Sequence, residues 1–380
     1  ALAVSSQGIS GVAVDRDGNA LSNAISWLDS RACSEATDVE AFYGLNKLFE
    51  TTGKRALPYT FPQLLWVKKH KPQIFDKTYK YLMPHDFIVC KMTGQSITDY
   101  SMASGTLAFD IEKKKWLEDI FKHFEIDVGL FPSIGCLGDK IGSLTPWAAG
   151  ELGLSCSTTV VLGAQDQRCC SIGAGIKKSV ITASLGTAAA VCSIMDGIKT
   201  DTSLVITCNG FTENEWINET VISTCGAALK WLKNTFFETM DYMSLDMQAQ
   251  NSPAGSNGAM FFPYLSGEQD ASGGGFFGLS LSTNKSDIIR SVMEAVAFQI
   301  KKHILHHERL IGEVHELRLF GGGAKSEIWC SIIAEVTGKT TVVPRTTETG
   351  CLGAAMIAAV GAGDFADLDA ARMMAGEPSK

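Results

Sequence analysis

Short apolar runs alternate with stretches of helical spacing along this chain, and that alternation predicts its elements. Residues 1–6 and 12–14 read as strands joined by the small-residue turn Ser6-Gln7-Gly8-Ile9-Ser10-Gly11. Asp15-Arg16-Asp17-Gly18-Asn19 supplies hairpin-turn residues that tolerate left-handed backbone. Residues 25–31 read as extended, 32–49 as helical, and 64–70 as a helix that Pro72 stops. A helix over 87–92 ends at Gly94. Residues 97–106 and 132–142 read as loops, with an amphipathic helix over 116–124 between them. A short helix over 146–152 precedes the apolar strand Val160-Val161-Leu162. That strand delivers Asp166 to the start of a small-residue helix running to Gly173.

After Gly173-Ala174-Gly175 the alternation begins again. Strands are expected over 180–184, 189–194 and 204–208, then a helix over 224–234 and an extended segment over 260–265. A Gly-rich loop at 273–278 leads into the longest helical pattern, 287–310. Strand 317–320, helix 326–336, strand 340–343 and a small-residue helix over 349–360 follow. Strands alternating with helices define an α/β protein. A chain of 380 residues exceeds one ordinary core, so two domains are expected, 1–174 and 175–380. Both halves follow the plan strand, turn, strand, helix, which points to a duplicated fold.

Composition narrows the class. The chain is 45% apolar and 19% charged, as a folded soluble protein is. A net charge of −8 argues against nucleic acid as the main partner. No apolar run reaches membrane-spanning length, and no basic segment with a signal-peptide core opens the chain. Eleven cysteines without a C-x-x-C pair read as reduced thiols in the cytoplasm. The chain opens directly into a strand and stops just after a helix, so both ends read as cut from something longer.

Three strand ends carry candidate chemistry. Ser184-Leu185-Gly186-Thr187 reads either as a hairpin turn or as a turn whose backbone and Thr hydroxyl meet a phosphate. Phe320-Gly321-Gly322-Gly323-Ala324-Lys325-Ser326 lies between a strand and a helix. Its three glycines let a nucleotide lie on bare main chain, and the helix N-terminus favours negative charge. It is neither a G-x-G-x-x-G fingerprint nor a Walker A loop. Asp166 is placed either as a general base or as a helix cap. His303, His306 and His307 share a helical face, read as solvated rather than metal-binding. Cys169-Cys170 reads as small-residue packing within a helix.

Taken together, these segments resemble the FGGY family of carbohydrate kinases and its xylulokinase-like branch. Gly274-Gly-Phe-Phe-Gly278-Leu279, seven residues, then Asp287-Ile-Ile-Arg-Ser291-Val-Met-Glu294 is similar to the family's C-terminal signature. Phe61-Pro62-Gln63-Leu64-Leu65-Trp66-Val67-Lys68 resembles its other signature, with Gln63 where Lys is usual. Gly163-Ala-Gln-Asp166-Gln resembles the catalytic motif; Tyr264-Leu-Ser-Gly-Glu268 and Gly350-Cys-Leu-Gly-Ala-Ala355 also fit.

The resemblance implies two ribonuclease H-like domains of the actin/hexokinase/Hsp70 type flanking a cleft, the first lacking its opening strands and their phosphate turn. It implies ATP-dependent phosphorylation of a small sugar or polyol, a pentulose such as xylulose being favoured, with Asp166 as the base. Gln7, Ile9, Asp29, Arg31, Asp86, Asp99 and Gln165 are the expected sugar residues. Gly186, Thr187, Gly226, Trp231, Gly321, Gly322, Gly323, Ala324 and Ser326 are expected around ATP. Mg²⁺ is expected to bind mainly through phosphates and water, without a protein ligand set, and the protein as a homodimer. Ile9 stands where many xylulokinases have His, and the loop after Glu268 runs quickly into Gly273. These departures leave two alternatives open: a glycerol-type polyol kinase, or a sugar- or nucleotide-binding regulator that has lost phosphoryl transfer.

Overall fold

Val160, Val161, Leu162 and Ala164 are fully buried, so the strand carrying them must lie inside a sheet. In the computed structural model, which describes residues 1–199, 206–209, 214–266 and 273–375, that strand spans Thr159–Gln165. It pairs in parallel with Leu2–Ser6 and antiparallel with Lys140–Ser143. Leu2–Ser6 approaches so closely that a Cβ at Gly163 would lie 1.9 Å from the Val4 carbonyl oxygen. Only glycine permits that approach, and the register of the pair shifts just there, between Ala3 and Ser5.

The chain forms two compact units that do not follow chain order. Ala1–Gly173 is joined by Met195–Asn218 and Gly350–Met374; the second unit is built from Ala174–Ile194 and Glu219–Thr349. Trp216 ties the 195–218 excursion to the first unit, its indole N–H donating to Ile111 O at 3.0 Å. The helix Thr349–Ala362 reaches that unit through its small residues. A Cβ at Gly353 would lie 1.9 Å from Cys169 O, and one at Gly361 would lie 2.5 Å from Val161 Cγ1.

In the second unit, Val180–Ser184 pairs antiparallel with Ala189–Met195 and parallel with Glu316–Phe320, which pairs in parallel with Thr340–Val342. Trp216–Ile222 comes next after Ala189–Met195 in the strand order, its residues from Glu219 on belonging to this unit. The helix Lys285–Ile311 buries Ile289, Val292, Met293, Val296, Ile300 and Ile304 at helical spacing. Its first turn is closed by reciprocal bonds between Asn284 and Asp287. Asp287 also accepts from Ser252 Oγ and Asn257 Nδ2, and Glu294 accepts from Gly255 N and Ser256 Oγ. These two acids hold Gly255-Ser256-Asn257-Gly258, four successive residues with φ of 82, 50, 50 and 89°. The acids of the 274–294 signature therefore pin a left-handed turn that Ser and Asn adopt only under restraint.

Several expectations are corrected. Residues 32–49 form two helices, Cys33–Tyr43 and Leu45–Thr52, because Gly44 at φ 83° breaks them. Residues 25–31 turn after Ile25, whose backbone alone bridges to Gly11. The stretch 97–106 is not loop throughout: it holds the strand Ile97–Asp99 and the helix Tyr100–Ala103. Residues 132–142 contribute the strand Ser133–Gly135, and the 116–124 helix shortens to Glu118–His123. The helix Tyr242–Gln250 was not legible. Of the strand expected at 204–208, residues 204 and 205 lie outside the described residues, as does the loop from Glu268 to Ser272.

The histidine face is buried, not solvated: His303, His306 and His307 are 5, 6 and 0% exposed. His307 shares hydrogen bonds with Ser193 Oγ at 2.6 Å and Thr220 Oγ1 at 3.1 Å, on two neighbouring strands. Burial, reinforced by neighbouring positive charge, pushes His303 down to about 4 and His307 to about 3 from an ordinary 6.5. The folded chain therefore binds fewer protons than the unfolded chain between these values and 6.5. Stability is fully present above pH 6.5 and is lost as pH falls below it, roughly several kcal/mol for the pair. Urea unfolding followed by tryptophan fluorescence from pH 7.5 to 4.5 should show the midpoint falling below pH 6.5, and His307→Gln should flatten that fall.

Candidate active site

Asp166 begins the helix Asp166–Gly173 directly after the buried strand, half-buried at the sheet's C-terminal end. Its Oδ1 accepts from the next backbone N–H, Gln167 N, at 2.7 Å. A carboxylate held by its own helix start keeps a defined orientation, the first requirement of a base. Gln165 N–H donates to Ser101 Oγ at 3.0 Å, and a Cβ at Gly8 would touch Gln165 Cγ at 3.4 Å. The 7–10 turn, Ser101 and the strand end thus meet in the first unit.

Within that turn Gln7 is exposed and Ile9 half-buried. Ile9 has φ 60°, and Ser10 N–H reaches back to Gly8 O at 2.9 Å, a three-residue turn with a left-handed centre. A β-branched residue in that conformation is strained, and such strain collects at ligand sites. Gly105 makes room for it, since a Cβ there would lie 2.7 Å from Ile9 Cγ2.

Asp29 and Arg31 pair on the surface at 2.6 Å, and Arg31 lies over the Trp66 ring, 4.9 Å from its centroid. The Arg31 hydrogen bonds hold Asp29 below the ordinary carboxylate value. Asp86 and Asp99 depart from the expectation of sugar contact. Both are buried and committed to backbone N–H groups at helix starts: Asp86 accepts from Met83 N, and Asp99 from Ser101 N and Met102 N. Asp86 also shares a 3.1 Å contact with buried His85. In sequence an acid that caps and an acid that binds a hydroxyl look alike; burial separates them. Gln63, standing where the family has Lys, is buried and donates to Pro58 O at 3.0 Å.

The second unit holds the expected nucleotide residues on three pieces of backbone. Leu185 N–H donates to Phe320 O at 2.7 Å, and Gly323 N–H donates to Leu185 O at 2.9 Å, locking two glycine turns together. The helix Gly226–Phe236 closes on the first turn: Gly226 N–H donates to Gly186 O at 2.8 Å, while Cys225 and Ala227 N–H donate to Thr187 O at 3.0 and 3.1 Å. Planar trans peptides then turn Thr187 N–H and Ala188 N–H away from that helix, outward beside the exposed Thr187. Gly321 has φ 90°, and no atom lies within 4 Å of a Cβ built on exposed Gly322. This is exposed backbone without a side chain, the kind of surface a phosphate can approach closely, so the residues present are compatible with a nucleotide.

Ala324 is buried beneath the second turn. Ser326 caps the next helix, accepting from Trp329 N and donating to Asp246 Oδ1 at 2.8 Å. Burial raises Asp246 above the ordinary carboxylate value, opposed by the Ser326 bond. Asp246 was not singled out in sequence, where nothing marks it. Trp231 stacks on Phe261 with centroids 5.9 Å apart, so one ring face is taken by the protein. Among the described residues, no group of three or more His, Cys, Asp or Glu is placed to hold a metal ion.

One unit carries an oriented strand-end carboxylate and the other a glycine-turn cradle at a helix N-terminus, the parts of a two-domain ATP-using kinase of actin/hexokinase-like fold. The chain belongs to the FGGY family of carbohydrate kinases: the family's N-terminal domain matches residues 1–173 and its C-terminal domain residues 182–362. It is 34% identical over 367 residues to the xylulose kinase of Bacillus subtilis, covering 94% of this chain and 73% of that protein. It is 27% identical over 384 residues to the gluconokinase of the same organism, covering 96% and 75%. The ligand-bound xylulose kinase structure from Lactobacillus acidophilus shares the fold, with a TM-score of 0.91 at 24% identity, covering all of this chain and 79% of that one.

Proposed function

We propose that this chain transfers the γ-phosphoryl group of ATP to a hydroxyl of a pentulose, with xylulose the favoured sugar. The observation that carries the mechanism is Asp166, oriented at the end of Thr159–Gln165 by its own helix start. Asp166 takes the proton of the attacking hydroxyl. The sugar oxygen forms the new bond to the γ-phosphorus in line as the bond to ADP breaks. In this reading the domain of residues 1–174 holds the sugar, through Gln7, Ile9, Gln165 and the Asp29–Arg31 pair. The domain of residues 175–380 holds ATP, through Gly186, Thr187, Gly226, the Gly321–Gly323 turn, Ala324 and Ser326. Thr187 N–H and Ala188 N–H meet phosphate oxygens. Mg²⁺, carried by the phosphates and water, would supply charge neutralisation on the transferring group.

The similarity to xylulose kinases supports the choice of sugar. Gluconate is the second reading, favoured by the gluconokinase match. Coupled ADP release with D-xylulose, D-gluconate and glycerol separates them. The expected result is the highest kcat/KM for xylulose. No turnover with any of the three, despite measurable ATP binding, would favour a regulator. The reading carries with it a cytoplasmic location, where reduced thiols are the rule; no described helix is long and apolar enough to cross a membrane. A homodimer belongs to the same reading, and sedimentation of the purified chain measures it directly.

A further inference from the structure

The strand that delivers Asp166 outruns its sheet on one side. Lys140–Ser143 pairs only with residues 159–161, and the bonds of Gly138 and Asp139 to Leu162 are the last backbone support along that edge. Three residues later Gln165 N–H donates to the side chain of Ser101, 64 positions earlier in the chain, at 3.0 Å. Ser101 is 7% exposed. Its own N–H donates to Asp99 Oδ2 at 2.7 Å. A hydroxyl oxygen carries two lone pairs, one of which takes the Gln165 N–H. The carbonyl of the same peptide, Ala164 O, accepts from Cys169 Sγ at 3.6 Å. Both polar atoms of the last peptide but one before Asp166 are thus held by side chains.

Asp99 is itself held in place. It is 1% exposed and accepts a second backbone bond from Met102 N. Burial raises its pKa, and His85 and the Ser101 and Met102 bonds oppose the rise. His85 in turn touches Asp86 at 3.1 Å. The buried link therefore runs from Asp99 through the Ser101 backbone to the hydroxyl that accepts from Gln165 N–H.

We propose that Ser101 is a positioning residue for phosphoryl transfer: held by Asp99, it fixes the Ala164–Gln165 peptide and thereby the direction in which Asp166 leaves the strand. The inference rests on the reading of Asp166 as the base. Displacing a base by an ångström lowers the rate far more than it weakens binding, because substrate contacts elsewhere are unchanged.

The test is steady-state kinetics with ATP and whichever of the three panel compounds the wild type turns over fastest. Ser101→Ala should lower kcat by about ten- to a hundredfold, with both KM values within about twofold of wild type, and Ser101→Thr should restore the rate. Ser101→Cys, a weaker acceptor, should fall between Thr and Ala, which keeps the inference testable should the alanine variant fold poorly. Amide exchange gives a readout independent of turnover. Gln165 N–H should exchange at least about tenfold faster in Ser101→Ala, while the amides of residues 160–162 stay protected. Wild-type kcat or unchanged Gln165 protection in Ser101→Ala would overturn the proposal, as would a loss confined to KM that threonine does not repair. Asp166→Asn run alongside separates the two readings. An active Asp166→Asn removes the base, whereas an inactive one beside a fully active Ser101→Ala removes only the positioning role.

Discussion

Asp166→Asn should reduce turnover by about a thousandfold or more while leaving the fold intact. Asparagine matches aspartate in shape and keeps a carbonyl oxygen for Gln167 N–H, the 2.7 Å bond that orients the side chain. It cannot take a proton from the attacking hydroxyl. General-base catalysis is worth roughly 10²–10⁴, and an amide beside the developing alkoxide lacks the charge that draws the proton away. The bonds that lock the Gly186–Thr187 and Gly321–Gly323 turns run among Leu185, Phe320, Gly323 and the 225–227 amides, so ATP affinity should stay near wild type, measured by nucleotide titration. Coupled ADP release then reads the chemical step. An asparagine variant within tenfold of wild-type kcat would end the assignment of Asp166 as the base.

The second large effect should come from Gly226→Ala. A Cβ there would lie 2.6 Å from Gly186 O and 3.3 Å from Gly186 C. That is backbone, which cannot rotate aside as a side-chain end can, so the turn that carries Thr187 must move. Overpacking of this kind costs about 1–3 kcal/mol. Spent on displacing the phosphate turn, it would raise KM for ATP by about tenfold or more, since 1.4 kcal/mol is tenfold. The sugar KM should not change. Gly322→Ala is the informative partner, because nothing lies within 4 Å of its added methyl. Its melting temperature should match wild type, while its KM for ATP rises if nucleotide lies on that backbone. Equal nucleotide affinity in both variants and wild type would remove these turns from the ATP site.

What could be read from residue order was what short segments decide among themselves. The strands around residues 180–184 and 316–320 announced themselves as apolar runs, and glycines at 186 and 321–323 marked the turns that follow them. The 97–103 segment was misread because three strand residues and one helical turn carry too little periodicity to rise above a loop. The histidines of the long helix were misread for another reason. Their spacing was correct, but Ser193 and Thr220, which meet His307, lie 114 and 87 positions away.

By itself the sequence determined the α/β class, the order of the elements, the Asp166 strand end and the glycine turns, because each depends on neighbours a few residues apart. Through its motifs it also pointed to the kinase family. Only the tertiary structure decided which acids remain for a substrate, since Asp86 and Asp99 are spent on helix starts once they are buried. Only it decided that the small-residue helix at 349–362 packs on the first unit, where Gly353 and Gly361 admit the backbone and side chains of other segments. It alone placed Ser101 under the peptide before Asp166. The physical reason is the same in each case. A hydrogen bond or a close approach is set by distance in space, and residues brought together by packing carry no mark of it along the chain.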